Sequence, residues 1–463
     1  MLSLTKRVHL IGIGGIGVSA VARILMSRGF QVSGSDVRES QLTTALRNEG
    51  ATVTIGHDAA LIEGSDMVVY STAIPDTNPE LVAARNSEIT VKHRAEILGA
   101  LLKGYRSLGV IGTHGKGTVC AMSTKVLDTA GRNPSFIIGG LLNDFGCNAR
   151  ATDSDTLVVE IDESDGSLVH VRPKVLIVNN LEADHLNYYG DLEGVYQKVG
   201  DVLAEKNGRE ICVLHTGDSG VRELMTRIEP TGRIVRFGFD DDLAGTSAEV
   251  VGSQLTVGPL GSQFTVTWRS TELGQVTVNQ PGRYNAMNAL GAAAAALEMG
   301  VSFDAVQEGL SGYSGIENRF TVVDVGSVRV VKDYISHPTG IRRVLEAAKT
   351  LSDGPITAVF KPYRFTMIHY LGDEYAVAFQ DADESVITEL YTAGEVPIAG
   401  VDAEWLINKI RATGSKVTFV PDMDDIVAHL VERIEPGQQI IFFGGDDLFE
   451  LADRFVEQVQ SLN

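Results

Sequence analysis

The chain has 463 residues, 44% of them hydrophobic and 21% charged, a balance that excludes a largely disordered polypeptide. One hydrophobic core rarely supports that length, so roughly two to four domains are expected, with three as the working division. A formal net charge of -21 repels polyphosphate at long range and argues against nucleic acid as a partner.

The chain passes from Lys6 and Arg7 into an apolar strand without the cleavage site of a signal peptide, and no apolar run reaches membrane-spanning length. A cytoplasmic location is therefore expected. Val8 to Ile11 reads as a strand, Gly12 to Gly17 as a turn, the periodic stretch to Met26 as a helix, and Phe30 to Ser33 as the next strand. Strand candidates at Thr52 to Ile55 and Met67 to Ser71 complete a small doubly wound unit over residues 1–103. In Gly12-Ile13-Gly14-Gly15-Ile16-Gly17 the missing side chains let backbone amides approach a pyrophosphate, and Asp36 ends the next strand where a ribose would lie. Taken alone, this loop points to a nicotinamide or flavin dinucleotide, with a tight structural turn as the plain alternative.

Ser107 to Ile111 begins a second unit, residues 104–320, and runs into Gly112-Thr113-His114-Gly115-Lys116-Gly117-Thr118 and a helix to roughly Ala130. This is a variant phosphate loop: Val110 takes the place of the first glycine of GxxxxGK[ST], and Gly117 follows the lysine. Successive N–H groups cradle an anion, Lys116 can bridge the terminal phosphates, and Thr118 offers a hydroxyl to Mg²⁺. Strand candidates Thr156 to Ile161 and Val175 to Asn179 each run into acids, first Glu160, Asp162, Glu163 and Asp165, then Glu182 and Asp184 with His185. Glu160 as a hard oxygen ligand and His185 as a second-site ligand suit Mg²⁺ held largely through phosphate and water. For any one of these acids a solvated loop carboxylate is the plain alternative. Glu249 to Val278 alternates like an antiparallel β insertion, and Ala286 to Leu297 forms an alanine-rich helix.

Residues 321–463 carry parallel-strand candidates at Val328 to Val331, Ile356 to Phe360, Lys416 to Val420 and Gln439 to Phe443, a further doubly wound unit. Cys120, Cys147 and Cys212 form no CxxC pair, so neither a disulfide framework nor a zinc site is suggested.

Together these segments resemble the Mur ligases over nearly the whole chain. The resemblance rests on Gly12 to Gly17, Ser71 to Ile74, Asn78-Pro79-Glu80, Arg94-Ala95-Glu96, Gly112 to Thr118, Glu160 to Asp165, Glu182 to His185 and Gly282 to Ala289. It extends through Arg319-Phe320, Asp333-Tyr334, His337-Pro338-Thr339 and Phe360 to Arg364. It implies an α/β fold of three domains: an N-terminal Rossmann-like UDP-binding domain, a central P-loop ATP-binding domain, and a C-terminal Rossmann-like domain for the amino acid. The implied activity is ATP-dependent ligation, through an acyl phosphate, of the carboxylate of UDP-N-acetylmuramate to L-alanine in peptidoglycan precursor synthesis. ATP, Mg²⁺ and those small molecules are the expected cofactors and partners, with no nucleic acid, no membrane, and a monomer or weak homodimer.

By the same resemblance the UDP-sugar would lie against Gly12, Gly14, Gly15, Gly17, Asp36, Ser71 and Ala73. ATP would lie against Gly112, Thr113, His114, Gly115, Lys116, Gly117, Thr118, Asn285 and Asn288. Lys116, Glu160, His185 and Arg319 would be catalytic, with Thr118, Glu160 and His185 holding metal, and Tyr334, His337, Tyr363 and Arg364 would meet the amino acid. Asn288 fits a helix cap equally well, and Arg319 a surface ion pair. The sequence also departs from the family pattern, in Gly117 after the lysine, in Tyr284, and in Gly444-Gly445-Asp446-Asp447. Tyr363 and Met367 stand where His and a second Arg are common, which removes one bidentate carboxylate clamp. Another amine or acceptor, such as glycine, serine or a murein peptide, is therefore the alternative reading, and a catalytically inactive nucleotide-binding regulator is the alternative of another class.

Overall fold

The computed structural model describes residues 5–163, 166–206, 208–243 and 245–462. Asp165, one of the acids singled out above, lies outside the described residues. The strands fall into three sheets, each built largely of parallel strands. The first runs Thr52–Ile55, Gln31–Asp36, Arg7–Ile11, Met67–Tyr70, Thr90–His93, all parallel.

The central sheet is larger. From one edge it runs Thr271–Val278, Gly261–Trp268, Val250–Gly258, Arg233–Phe239, Ile211–His215, Val175–Val178, Arg106–Ile111, Thr156–Glu160, Ser135–Leu142, Cys147–Arg150. Its middle is parallel, and the expected β insertion forms the antiparallel ribbon at one edge. Val250, Phe264, Val266, Val276 and Val278 of that ribbon share a core with the helix Arg283–Glu298. Every residue of this helix from Asn285 to Glu298 is buried, which explains a sequence that is apolar all round and has no polar stripe.

The third sheet runs Thr321–Val325, Val328–Asp333, Gln439–Phe443, Ile356–Phe360, Glu384–Ile387, Val417–Phe419. Its first pair is antiparallel, an exception to the parallel pattern read from the sequence. The first and central units are not separate globules. The helix Ile16–Ser27 packs its buried face into the same apolar cluster as Ile137, Ala149 and Leu157 of the central sheet. Polar contacts seal that seam: Asn148 Nδ2 donates to Ile16 O at 2.8 Å and Arg23 Nη1 donates to Asn148 Oδ1 at 2.6 Å.

Candidate active site

The central parallel strands place the phosphate loop and both acid clusters at one end. Val110 pairs with Glu160 and Ile111 with Val178, so residues 112–118, Glu160 and Asn179 all leave the sheet at the same level. The loop then enters the helix Lys116–Thr129 through Gly115, whose φ of 76° favours glycine. A Cβ on Gly115 would come 2.5 Å from Asn288 Oδ1, so the loop has no room for one.

The loop is scaffolded by asparagines. Asn179 Nδ2 donates to His114 O and to Asn288 Oδ1, both at 3.0 Å, while Asn180 Oδ1 accepts from His114 N at 2.7 Å. Asn288 thus supports the loop from behind, and Asn285 Nδ2 donates to Pro281 O at 2.8 Å within its own turn. Their buried positions give both residues a structural task in addition to the adenine contact implied by resemblance.

Lys116 lies between the loop and the acids. Its Nζ donates to Gly112 O and pairs with Glu163 Oε1, both at 2.7 Å. Burial alone would lower the ammonium, but Glu163, Glu160 and Asp162 around it outweigh that and hold it above the ordinary lysine range. The same burial pushes the Glu163 carboxyl up to about 7 against the pull of Lys116. His185 Nε2 stands 4.0 Å from Glu163 Oε1, and burial keeps its imidazole neutral, the form that ligates a metal. Glu160 Oε2 accepts from Gly139 N at 2.6 Å, and a Cβ on Gly117 would lie 3.2 Å from the same oxygen. The departure at Gly117 therefore leaves space for the Glu160 carboxylate beside the helix N-terminus.

In the first unit Gly12 N donates to Ser35 O at 2.8 Å and Gly14 N donates to Asp36 Oδ2 at 2.9 Å. Asp36 thereby anchors the glycine loop itself. The turn holding Ser71 and Ala73 lies over the loop through Ile74, whose Cδ1 would be 2.9 Å from a Cβ on Gly12. The structure thus groups Gly12, Gly14, Asp36 and this turn at one end of the first sheet.

The remaining expected residues close the crevice from the third unit. Lys116, Thr118, Glu160, His185, Arg319, Tyr334 and Tyr363 line one cavity of about 1340 Å³. The Arg319 guanidinium lies over the Tyr334 ring at 5.5 Å and donates to Tyr334 O. Arg364, at φ 62°, places its guanidinium 4.9 Å from the Tyr363 ring and lines a second recess with Asp184, His185, Met367 and Tyr370. His337, expected to face the amino acid, is buried and engaged on both sides. Its Nε2 faces Ala183 O at 3.1 Å, and its Nδ1 accepts from Thr339 N at 3.3 Å as the cap of the helix Pro338–Lys349.

Sequence models described as "Mur ligase family, catalytic domain", "Mur ligase middle domain" and "Mur ligase, glutamate ligase domain" match residues 7–106, 110–296 and 318–445. A UDP-N-acetylmuramate--L-alanine ligase of Phenylobacterium zucineum (strain HLK1) is 36% identical over 463 residues, spanning 98% of this chain and 96% of that one. One from Symbiobacterium thermophilum is 39% identical, spanning 98% and 95%. The chain belongs to the Mur ligase family. Among solved structures, UDP-N-acetylmuramate-alanine ligase MurC from Thermotoga maritima superposes with a TM-score of 0.81 at 26% identity over 99% of this chain and 100% of that one. A murein peptide ligase from Psychrobacter arcticus shares the fold with a TM-score of 0.73 at 24% identity over 98% and 99%.

Several residues of this Mur ligase site were not assigned from sequence. Glu163 was one acid among four, and only the fold makes it the partner of Lys116. Asn179 ended a strand candidate without a motif, and Arg343 on a C-terminal helix carried no signal at all. Glu182 stood inside a recognised segment without a role, although its carboxylate meets groups from two domains.

Proposed function

We propose that this Mur ligase joins the carboxylate of UDP-N-acetylmuramate to L-alanine with hydrolysis of ATP to ADP, through an acyl phosphate. The observation that carries this reading is the meeting of Lys116 and His185 on Glu163, beside a cavity that Lys116, His185 and Arg319 line, with Arg364 in a second recess that shares Asp184 and His185 with it. The loop amides and Lys116 would hold the terminal phosphates of ATP, with Glu163 exchanged for phosphate as the partner of the ammonium. Thr118, Glu160 and His185 would hold Mg²⁺. Their donor set suits it: one hydroxyl, one carboxylate and a neutral imidazole, beside a buried Glu163 Oε2 that has no hydrogen-bond partner among the described residues. When bound, the metal supplies charge neutralisation on the phosphates.

The substrate carboxylate attacks the γ-phosphorus and ADP leaves. The amine then attacks the acyl carbon and inorganic phosphate departs, with the amine proton passing to solvent. No protein nucleophile is required, so these side chains act by positioning and by charge. Arg364 is the guanidinium available for the carboxylate of the amino acid. Met367 and Tyr370 line the same small recess as Arg364. Phosphate release measured with UDP-N-acetylmuramate and each of the twenty amino acids tests the reading. Fastest release with L-alanine is expected; release with none of them, or preference for a large side chain, overturns it.

A further inference from the structure

The residues just past the strand Val175–Val178 do more than carry His185. Glu182 N accepts its place in the loop by donating to Thr113 Oγ1 at 2.8 Å, so its backbone is tied to the phosphate loop. Its carboxylate reaches both ways. Oε2 accepts from Thr339 Oγ1 at 2.6 Å and lies 3.5 Å from His114 Nε2, while Oε1 lies 3.7 Å from Arg343 Nη2. His114 and Thr113 belong to the phosphate loop, whereas Thr339 and Arg343 belong to the first two turns of the C-terminal helix Pro338–Lys349. Burial works against the Glu182 charge, but His114, Thr339 and Arg343 outweigh it and hold the carboxyl below the ordinary carboxylate range.

The His114 and His337 rings stand 4.5 Å apart beside this carboxylate, and the buried His114 Nε2, 3.5 Å from Glu182 Oε2, has no hydrogen-bond partner among the described residues. His114, Glu182 and His337 have ligand atoms within 4.8 Å of one another, a donor set that could take a transition metal. Both nitrogens of His337 are already engaged, however, by Ala183 O and Thr339 N, so a metal would have to displace either the Ala183 contact or the cap of the helix. Hydrogen bonds to His337 and Thr339 and the ion-pair contacts of Glu182 hold the cluster without one.

The geometry points to Glu182 as a positioning residue that couples the phosphate loop to the docked C-terminal domain. Thr339 reports docking to Glu182, and Glu182 holds Thr113 and His114 in the cradle conformation. ATP affinity in this protein is therefore set partly by a hydroxyl on another domain. The inference rests on the reading of residues 112–118 as the ATP site, and ATP binding to the unaltered protein is measured first; no binding sinks that reading, not the coupling.

The test is a double-mutant cycle on ATP dissociation constants by calorimetry, with Glu182→Gln, Thr339→Val and both together. Each single change is expected to weaken ATP about tenfold, and the pair no more than the worse single, because both break one link. Thr339→Ser, which keeps the hydroxyl, should restore the affinity. Additive losses would mean that Thr339 meets ATP directly and would overturn the coupling, as would unchanged affinity in Thr339→Val. Melting temperatures of the variants without nucleotide separate this from a structural role: they should stay within a few degrees while the affinities move.

Discussion

Lys116 and Glu163 form a neutral pair in which the ammonium already has the partner that a phosphate would replace. Exchanging one anion for another at a buried cation costs less than desolvating a bare charge, so the resting pair keeps Lys116 in place without leaving an unpaired ion. Lys116→Ala removes the ammonium that donates to Gly112 O and should lower ADP formation by roughly a hundred- to a thousandfold, read in a coupled assay with both substrates saturating. Gly115 gives a sharper steric test. With φ at 76° and Asn288 Oδ1 only 2.5 Å from where a Cβ would sit, Gly115→Ala should cost about 1–3 kcal/mol of stability, measured by denaturant unfolding. ATP binding should fall with it, because Asn288 must move and the cradle with it.

At the scale of single strands and helices, the strand Ile211–His215 shows what sequence can and cannot tell. It is buried throughout and ends in His215, whose Nδ1 donates to Asn179 O at 2.7 Å and whose ring stacks on Phe237 at 5.0 Å. Burial keeps that imidazole neutral, with its titration held down to about 4. The unfolded chain takes up a proton near pH 6.5 and the folded chain does not, so stability is full above that value and falls as pH drops toward 4. A loss of about 2 kcal/mol between pH 7 and pH 5 is expected from this group, and His215→Gln should flatten that dependence in urea titrations at the two pH values. Neither this strand nor its neighbour Arg233–Phe239 was anticipated, because periodicity alone does not separate a short apolar run from part of a buried helix; the turn signals Asn207-Gly208, Gly217-Asp218 and Pro230-Thr231-Gly232 beside them are what could have done so. The strands that open on glycine loops were legible, as Arg7–Ile11 and Arg106–Ile111 illustrate, since the loop fixes where the strand must stop. The site candidates readable from the residues themselves were those on such loops, with the acids and His185 that follow the next two strands of the central unit. The roles of Glu163, Asn179 and Arg343 were not, because their partners Lys116, Asn288 and Glu182 lie 47, 109 and 161 positions away in the chain and only the tertiary fold supplies them.

Across the molecule, the two kinds of seam differ. The first and central units share an apolar cluster, whereas the third meets the central one mainly through Thr339 with Glu182, His337 with Ala183, and Arg319 with Tyr334, helped by Ala183 and Tyr284. Polar seams of that sort come apart and re-form at little cost, so movement on ligand binding is expected of the third unit. X-ray scattering should show a smaller radius of gyration with ATP and UDP-N-acetylmuramate together than with neither, and identical curves would count against it.

The seam around the helix Ile16–Ser27 has its own consequence for how the protein comes apart. Severing it would bare Val18, Val21 and Leu25 on one side and Ile137 and Ala149 on the other, so the N-terminal two-thirds should melt as a single cooperative block. Calorimetry should then resolve two endotherms from a chain of three sheets, the smaller belonging to the C-terminal unit, and a protease nick between the blocks should release a fragment that keeps both glycine loops folded.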